Sequence, residues 1–154
     1  MRRFDAGVTL VEVLVVLVLI GIMAGAVGLS LGPADRGDAV DREATLLTAR
    51  LNRAADEALL SGRDLAFVRD ADGYRFEVRE GMDWVPHPLA LLARPHAVSG
   101  AALADGGVPE GRYVVASDLI PAEGQPLTLV LRGGGGYAVD VTFDGVNATQ
   151  APVQ

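Results

Sequence analysis

The sequence contains no cysteine and no lysine. Without cysteine the chain can build no disulfide framework, no thiolate metal site and no cysteine nucleophile. That absence leaves its redox compartment open. Every basic residue is an arginine, and cations are in the minority: 13 basic against 20 acidic side chains, a net charge of −7. Nucleic-acid binding depends on neutralising phosphates with cationic groups, so no nucleic-acid partner is expected. General adhesion to an anionic membrane surface is disfavoured for the same reason. Charge of either sign is sparse, at 21% of 154 residues, while half the residues are apolar. The chain is too hydrophobic to be disordered, and it is long enough for one domain of ordinary size but not for two independent cores.

The apolar excess is concentrated near the start. From Val13 to Ala34 run 22 residues without a charge. As a helix rising about 1.5 Å per residue this segment would span roughly 33 Å, close to the ~30 Å hydrocarbon core of a bilayer. Arg2 and Arg3 precede it, which places the N-terminus on the cytoplasmic side and everything after Asp35 outside. Gly21, Gly25 and Gly28 recur at helical spacing, where small residues let a second helix approach closely. A secretory signal peptide is the rival reading, with Ala24-Gly25-Ala26 as its cleavage site. Glu12 opposes it, because an ionised group in such a segment costs on the order of 2–3 kcal/mol unless it finds a partner or the interface.

Gly7-Val8-Thr9-Leu10-Val11-Glu12 followed by the long apolar run resembles the class III signal of type IV pilins and type II secretion pseudopilins. The resemblance implies that a prepilin peptidase cuts between Gly7 and Val8 and that the new N-terminus on Val8 is methylated. It implies also that the apolar helix stays in the mature protein. The usual residue after the cut is Phe, so Val8 is a departure. Chemically the site is coherent. Glycine lets the peptidase approach the backbone, and cleavage leaves an ammonium on Val8, one helical turn from Glu12. A carboxylate and an ammonium in low dielectric attract strongly but are costly to desolvate alone. Glu12 is therefore read as the assembly contact, pairing with a neighbouring subunit's ammonium; pairing with its own Val8 or with lipid headgroups is the alternative.

Further along, Gly32-Pro33 is expected to kink or interrupt the helix. Val40, Ala44, Leu47, Leu51, Ala54 and Ala58 then recur at spacings of four and three, an apolar stripe along one helical face that Ser61-Gly62 ends. Leu65–Arg69 and Tyr74–Arg79 read as a hairpin around Asp70-Ala71-Asp72-Gly73, with Tyr74, Phe76 and Val78 facing inward. Leu127, Leu129 and Leu131, then Tyr137, Val139, Val141 and Phe143, alternate in the same way on either side of Gly133–Gly136. Asp144-Gly145 reads as a two-residue turn into a last strand, Val146–Thr149. Residues 85–126 hold six of the eight prolines and read as short strands and loops.

Nothing in the chain argues for an enzyme. Asp70–Gly73 starts like a calcium loop, but its glycine stands fourth where an EF-hand needs it sixth. It reads as a hairpin turn, with a loose cation site among Asp64, Asp70, Asp72 and Asp83 as the lesser alternative. His87 and His96 have no third ligand in view and read as surface histidines, so neither metal nor cofactor is expected. Gly133–Gly136 lacks the Lys-Ser/Thr of a phosphate loop. Ser30, Ser61, Ser99 and Ser117 lack a nucleophile elbow.

The stretch L-x-x-A-R-L-x-R-A-x-x-E-A-x-x-S-G-R from Leu46 to Arg63, then Asp72–Phe76, the lone Trp84 and Pro126–Leu129, resembles the minor pseudopilins of the GspH kind. That resemblance implies an α+β, pilin-like fold, a long N-terminal helix whose second half packs on a small antiparallel β-sandwich. The expected divisions are a leader over 1–7, a transmembrane and assembly helix over 8–34, and a periplasmic globular domain over 35–154. The implied role is structural, at the tip of a periplasmic pseudopilus that drives folded proteins across the outer membrane. Implied partners are other minor and major pseudopilins, the prepilin peptidase and inner-membrane lipid. Two alternatives remain open at this point: a minor pilin of a type IV pilus, including DNA-uptake pilins, and a Sec-exported periplasmic binding module. Against the DNA-uptake pilins, the tail from Ala148 to Gln154 carries no arginine.

Overall fold

In the computed structural model of the chain, residues 10–30, 34–70, 73–105, 111–121 and 124–153 are described. The chain divides into two units, Met1–Asp35 and Arg36–Gln154. In the first, the apolar run forms helix α1, Leu10–Ser30, with Glu12 in its first turn. Its branched side chains from Leu10 to Met23 stand exposed. Among the described residues no helix is long and apolar enough to cross a membrane. The expected kink at Gly32-Pro33 lies outside the described residues.

The second unit begins on helix α2, Ala34–Ser61. All six residues of the predicted stripe are fully buried. Three of them are alanines, and their small side chains let the helix approach what it covers. Gly62 at φ +65° takes the left-handed conformation that ends a helix.

Two antiparallel sheets follow. One is built from β1 (Leu65–Arg69), β2 (Gly73–Glu80), β3 (Asp83–Pro86), β4 (His96–Ala97) and β6 (Arg112–Val115). Its order is β3-β2-β1-β6, with β4 also pairing β2. The other runs β5-β7-β8-β9, from Ala102–Asp105, Leu127–Arg132, Ala138–Phe143 and Ala148–Pro152. The alternation seen in the sequence settles which residues point inward. Leu65, Phe67, Tyr74, Phe76 and Val78 from one sheet and Leu127, Leu129, Leu131, Val141 and Phe143 from the other join the α2 stripe in one core. Burying each large side chain contributes roughly 1.5–3 kcal/mol. Phe67, Tyr74 and Phe76 pack at ring-centroid distances of 5.4–6.2 Å. Tyr113 meets Phe143 edge-on at 6.4 Å, joining the two sheets. This is the α+β arrangement expected, a helix with two small antiparallel sheets.

Two local expectations are corrected. The last strand is Ala148–Pro152 rather than Val146–Thr149. Its register, Phe143 opposite Ala148, requires a four-residue connection instead of a two-residue turn. Asp144 shapes that connection: its Oδ1 accepts from the backbone N–H groups of Val146 and Asn147 at 2.9 and 2.7 Å. The second correction is His87, which is only 2% exposed. Its backbone N–H donates to Phe76 O at 3.4 Å and its Nδ1 accepts from Leu89 N–H at 3.1 Å. Those two bonds fold the ring inward just past β3, so a prolyl-rich stretch carries a core histidine.

Candidate functional site

Of the residues singled out in the sequence, Gly7 and Val8 lie outside the described residues. Glu12 stands exposed in the first turn of α1, among Leu10, Val11, Val13 and Leu14, which are exposed as well. A carboxylate there sits favourably against the N-terminal end of the helix dipole. An acid surrounded by exposed apolar side chains can serve as a polar registration point on an otherwise greasy helix.

Two of the acidic residues weighed as a cation site, Asp64 and Asp70, are engaged within the fold. Asp64 Oδ1 accepts from the backbone N–H and hydroxyl of Ser117 at 3.0 and 3.1 Å, and its Oδ2 lies 3.5 Å from Arg79. The Ser117 backbone N–H leads in holding its carboxyl below the usual range, against a burial that would raise it. Asp70 Oδ1 accepts from Gly73 N–H at 2.9 Å, closing the β1–β2 hairpin. Among the described residues no group of three or more His, Asp or Glu side chains is placed to hold a metal; Asp72 lies outside them.

What the sequence reading passed over is a buried arginine. Arg50 projects from the same face of α2 as Leu47 and Leu51 and is 5% exposed. Its guanidinium lies 5.0 Å from the Tyr74 ring centroid and 5.8 Å from that of Phe76. It donates to Leu91 O, and to Arg94 O at 3.1 Å, on the short helix α3, Ala90–Ala93, and the residue after it. No carboxylate pairs with it among the described residues. The cation is held instead by carbonyl dipoles and ring faces, a setting for which a planar guanidinium is suited and an ammonium is not. Helical periodicity was the available signal, since position 50 falls on the buried stripe.

Around Arg50 opens a groove of about 490 Å³, lined by Leu46, Arg50, Ala90, Leu91, Arg94, Pro95 and His96. Its far wall is anchored to α2 by His96 Nε2 against Glu43 Oε2 at 2.7 Å. Glu43 Oε1 also accepts from Ser99 N–H at 3.3 Å. Gly73 completes the anchoring. A Cβ there would lie 1.9 Å from His96 O, so only glycine lets β4 pair with β2.

On the outer side of the first sheet, Glu77 is 7% exposed and takes two arginines, Arg75 at 3.0 Å and Arg112 at 2.5 Å. Arg112 in turn lies 5.1 Å from the Trp84 ring centroid. Burial would raise the Glu77 carboxyl, but the two guanidinium groups pull it below its ordinary value. This triad ties β2 to β6 across β1, with Trp84 of β3 packed beside it, and contains no nucleophile.

Residues 2–28 match the prokaryotic N-terminal methylation motif. The chain is 39% identical over 83 residues to the type II secretion system protein H of Aeromonas hydrophila, covering 53% of this chain and 45% of that protein. It is 34% identical over 73 residues to the protein of the same name from Pseudomonas aeruginosa, covering 47% and 42%. The chain thus spans less than half the length of these curated relatives. Its fold is similar to the solved minor pseudopilin EpsH from the type 2 secretion system of Vibrio cholerae. That likeness has a TM-score of 0.57 at 21% identity and covers 74% of this chain and 95% of that one.

Proposed function

We propose that this chain, which has the prepilin methylation motif and the fold of a GspH-type pseudopilin, is a structural minor pseudopilin of a type II secretion system. The observation that carries the reading is a conjunction. A methylation motif over residues 2–28 runs into an apolar helix, and behind it stands an α+β unit whose fold is that of a minor pseudopilin. The work of such a subunit is assembly, and the side chains described here fit it. They fasten strands, helix and loops to one another, with no nucleophile, base or ligand set brought together among the described residues.

In this reading the prepilin peptidase cleaves after Gly7 and Val8 is N-methylated. The run from Val13 to Ala34 holds the subunit in the inner membrane with residues 35–154 on the periplasmic side. Glu12 then meets the ammonium of a neighbour's Val8 as subunits pack, fixing the axial register. Other pseudopilins are its partners, and the assembled pseudopilus moves folded proteins toward the outer membrane.

Intact-mass measurement on protein extracted from membranes tests this reading at its root. The expected product begins at Val8 and carries a methyl group. A product beginning near Val27 would refute it in favour of a cleaved secretory signal. Co-purification with other pseudopilins, expected for the full chain, tests the assembly role.

A further inference from the structure

The chain leaves the first sheet after β3 and returns to it in β4, carrying α3 between two histidines, His87 and His96. The amides of this segment are bonded within it. Leu92 and Ala93 N–H donate to Leu89 O at 2.9 and 3.0 Å, and Arg94 N–H donates to Ala90 O at 3.1 Å. Its ties to the rest of the unit are few. Leu92 is fully buried, and Arg50 donates to Leu91 O and Arg94 O. At the far end His96 Nε2 meets Glu43 Oε2 at 2.7 Å, and β4 pairs with β2. At the near end the segment hangs on His87.

His87 is bound in a way that only its neutral form permits. Its Nδ1 accepts from Leu89 N–H at 3.1 Å, so the proton of the neutral ring stands on Nε2. That Nε2 is buried and has no hydrogen-bond partner among the described residues. A second proton, on Nδ1, would set two N–H donors against each other and break the bond to Leu89. It would also leave a buried cation with no acceptor, which is costly. The charged groups around the ring do not offset this. Glu57 of α2 favours a cation there, but it is already paired with Arg53 at 3.3 Å, and Arg53 and Arg63 both oppose one. Arg50, two turns earlier on α2, is a further cation and is bonded to the segment's own carbonyls. To the core β2 and β3 bring Phe76, Val78 and Val85, and α3 brings Leu92, all apolar. Burial is the main cause that holds this imidazole below its ordinary 6.5.

We propose that His87 is an acid-operated latch: protonation of its ring releases residues 88–94, with α3, from α2 and β2, while the contact between His96 and Glu43 keeps the far end tethered. Proton uptake by His96 would set a cation against the Glu43 carboxylate, so acid does not loosen that end. Once released, the segment takes Leu91 O and Arg94 O away from Arg50, and the groove loses its α3 wall and opens along Leu46 and Arg50 of α2. The released ring has the ordinary proton affinity and the docked ring a lower one. The released state therefore gains population as pH falls through 6.5. A docked ring that stays neutral throughout sets the ceiling, about 25-fold more released segment at pH 5 than at pH 7. The latch belongs to the unit from Arg36 onward and goes beyond the secretion reading, on which it does not depend.

Amide hydrogen exchange on the full-length chain in detergent, corrected for the intrinsic rate at each pH, reads local release directly. Between pH 7 and pH 5 the amides of Leu89, Leu92, Ala93 and Arg94 should lose protection by about 5- to 25-fold, while those of β1 and β2 keep theirs. His87→Asn cannot take up a proton and keeps an acceptor for Leu89 N–H, so its segment should exchange alike at both pH values. His87→Gln, measured in parallel, should behave the same way, so that a misfolded Asn variant does not decide the matter. Wild-type protection of the segment that ignores pH would overturn the latch. So would a loss that persists in both His87 variants, or one that β1 and β2 share, which would mean unfolding of the whole unit. The Val8-starting mass and co-purification with other pseudopilins are separate measurements, and the secretion reading stands or falls on those.

Discussion

Gly73→Ala is the smallest change that should dismantle the groove. The added Cβ would lie 1.9 Å from His96 O, about 1.5 Å inside the 3.4 Å at which ordinary contact begins. Backbone rather than a flexible side chain blocks it, so β4 must retreat. With it go the pairings of Gly73 with Ala97 and Tyr74 with His96, the 5.3 Å ring contact between Tyr74 and His96, and the His96–Glu43 bond. Overpacking of this kind costs roughly 1–3 kcal/mol, and each lost hydrogen bond about 1 kcal/mol more. A total of about 2–4 kcal/mol corresponds to a fall of roughly 8–16 °C in the melting temperature for a domain of this size. The control is Gly62→Ala, where nothing lies within 4 Å and only the φ of +65° is strained. It should cost about 1 kcal/mol, or roughly 4 °C. Thermal unfolding of both full-length variants, followed by far-ultraviolet circular dichroism, decides the matter. If Gly73→Ala melts no lower than Gly62→Ala, the close passage of β4 is not what that glycine is for.

Acid should weaken the fold in two stages. Burial holds the His87 imidazole below its usual 6.5, so the unfolded chain takes up that proton first and stability is lost as pH falls below about 6.5. His87→Asn, which keeps an acceptor for Leu89 N–H, should flatten this limb in denaturant titrations between pH 7 and 5; an unchanged slope would exclude His87 as its source. Asp64, held below its ordinary 3.8, contributes stability above that value that disappears beneath it. Glu12→Ala should be cleaved after Gly7 as usual yet enter the assembled fibre poorly, with Glu12→Gln between. Removing one partner of a buried ion pair costs on the order of 3 kcal/mol or more, over a hundredfold in an assembly equilibrium. Wild-type incorporation of Glu12→Ala in a co-purification assay would rule out this glutamate as the contact.

The helix and the long strands were legible because each pairs locally and displays its period. The α2 stripe, β1 with β2, and β7 with β8 all read directly from spacing. The middle of the chain did not, and the reason is topological. β4, β5 and β6 are two to four residues long. Their partners are β2, β7 and β1, so no local alternation announces them. Gly73 shows the consequence: the sequence offers it as a turn residue, whereas its requirement comes from a strand more than twenty positions later. Arg50 failed in another way. A charged residue on a buried face looks like an interruption until the carbonyls and rings that hold it are known, and those come from α3 and β2.

The missing lysine now has a physical sense. Arg50 lies against the Tyr74 and Phe76 rings while donating to two carbonyls; Arg112 lies over Trp84 while binding Glu77. Arg75 reaches both Asp70 and Glu77, at 3.6 and 3.0 Å. Arg50 and Arg112 stack and bond at once and Arg75 forks between two carboxylates, uses for which a flat guanidinium is better suited than the rounded, strongly hydrated ammonium of lysine. Arginine therefore serves here as cross-sheet and helix-to-loop fastening, buried at Arg50 and at the surface of the sheet at Arg75 and Arg112.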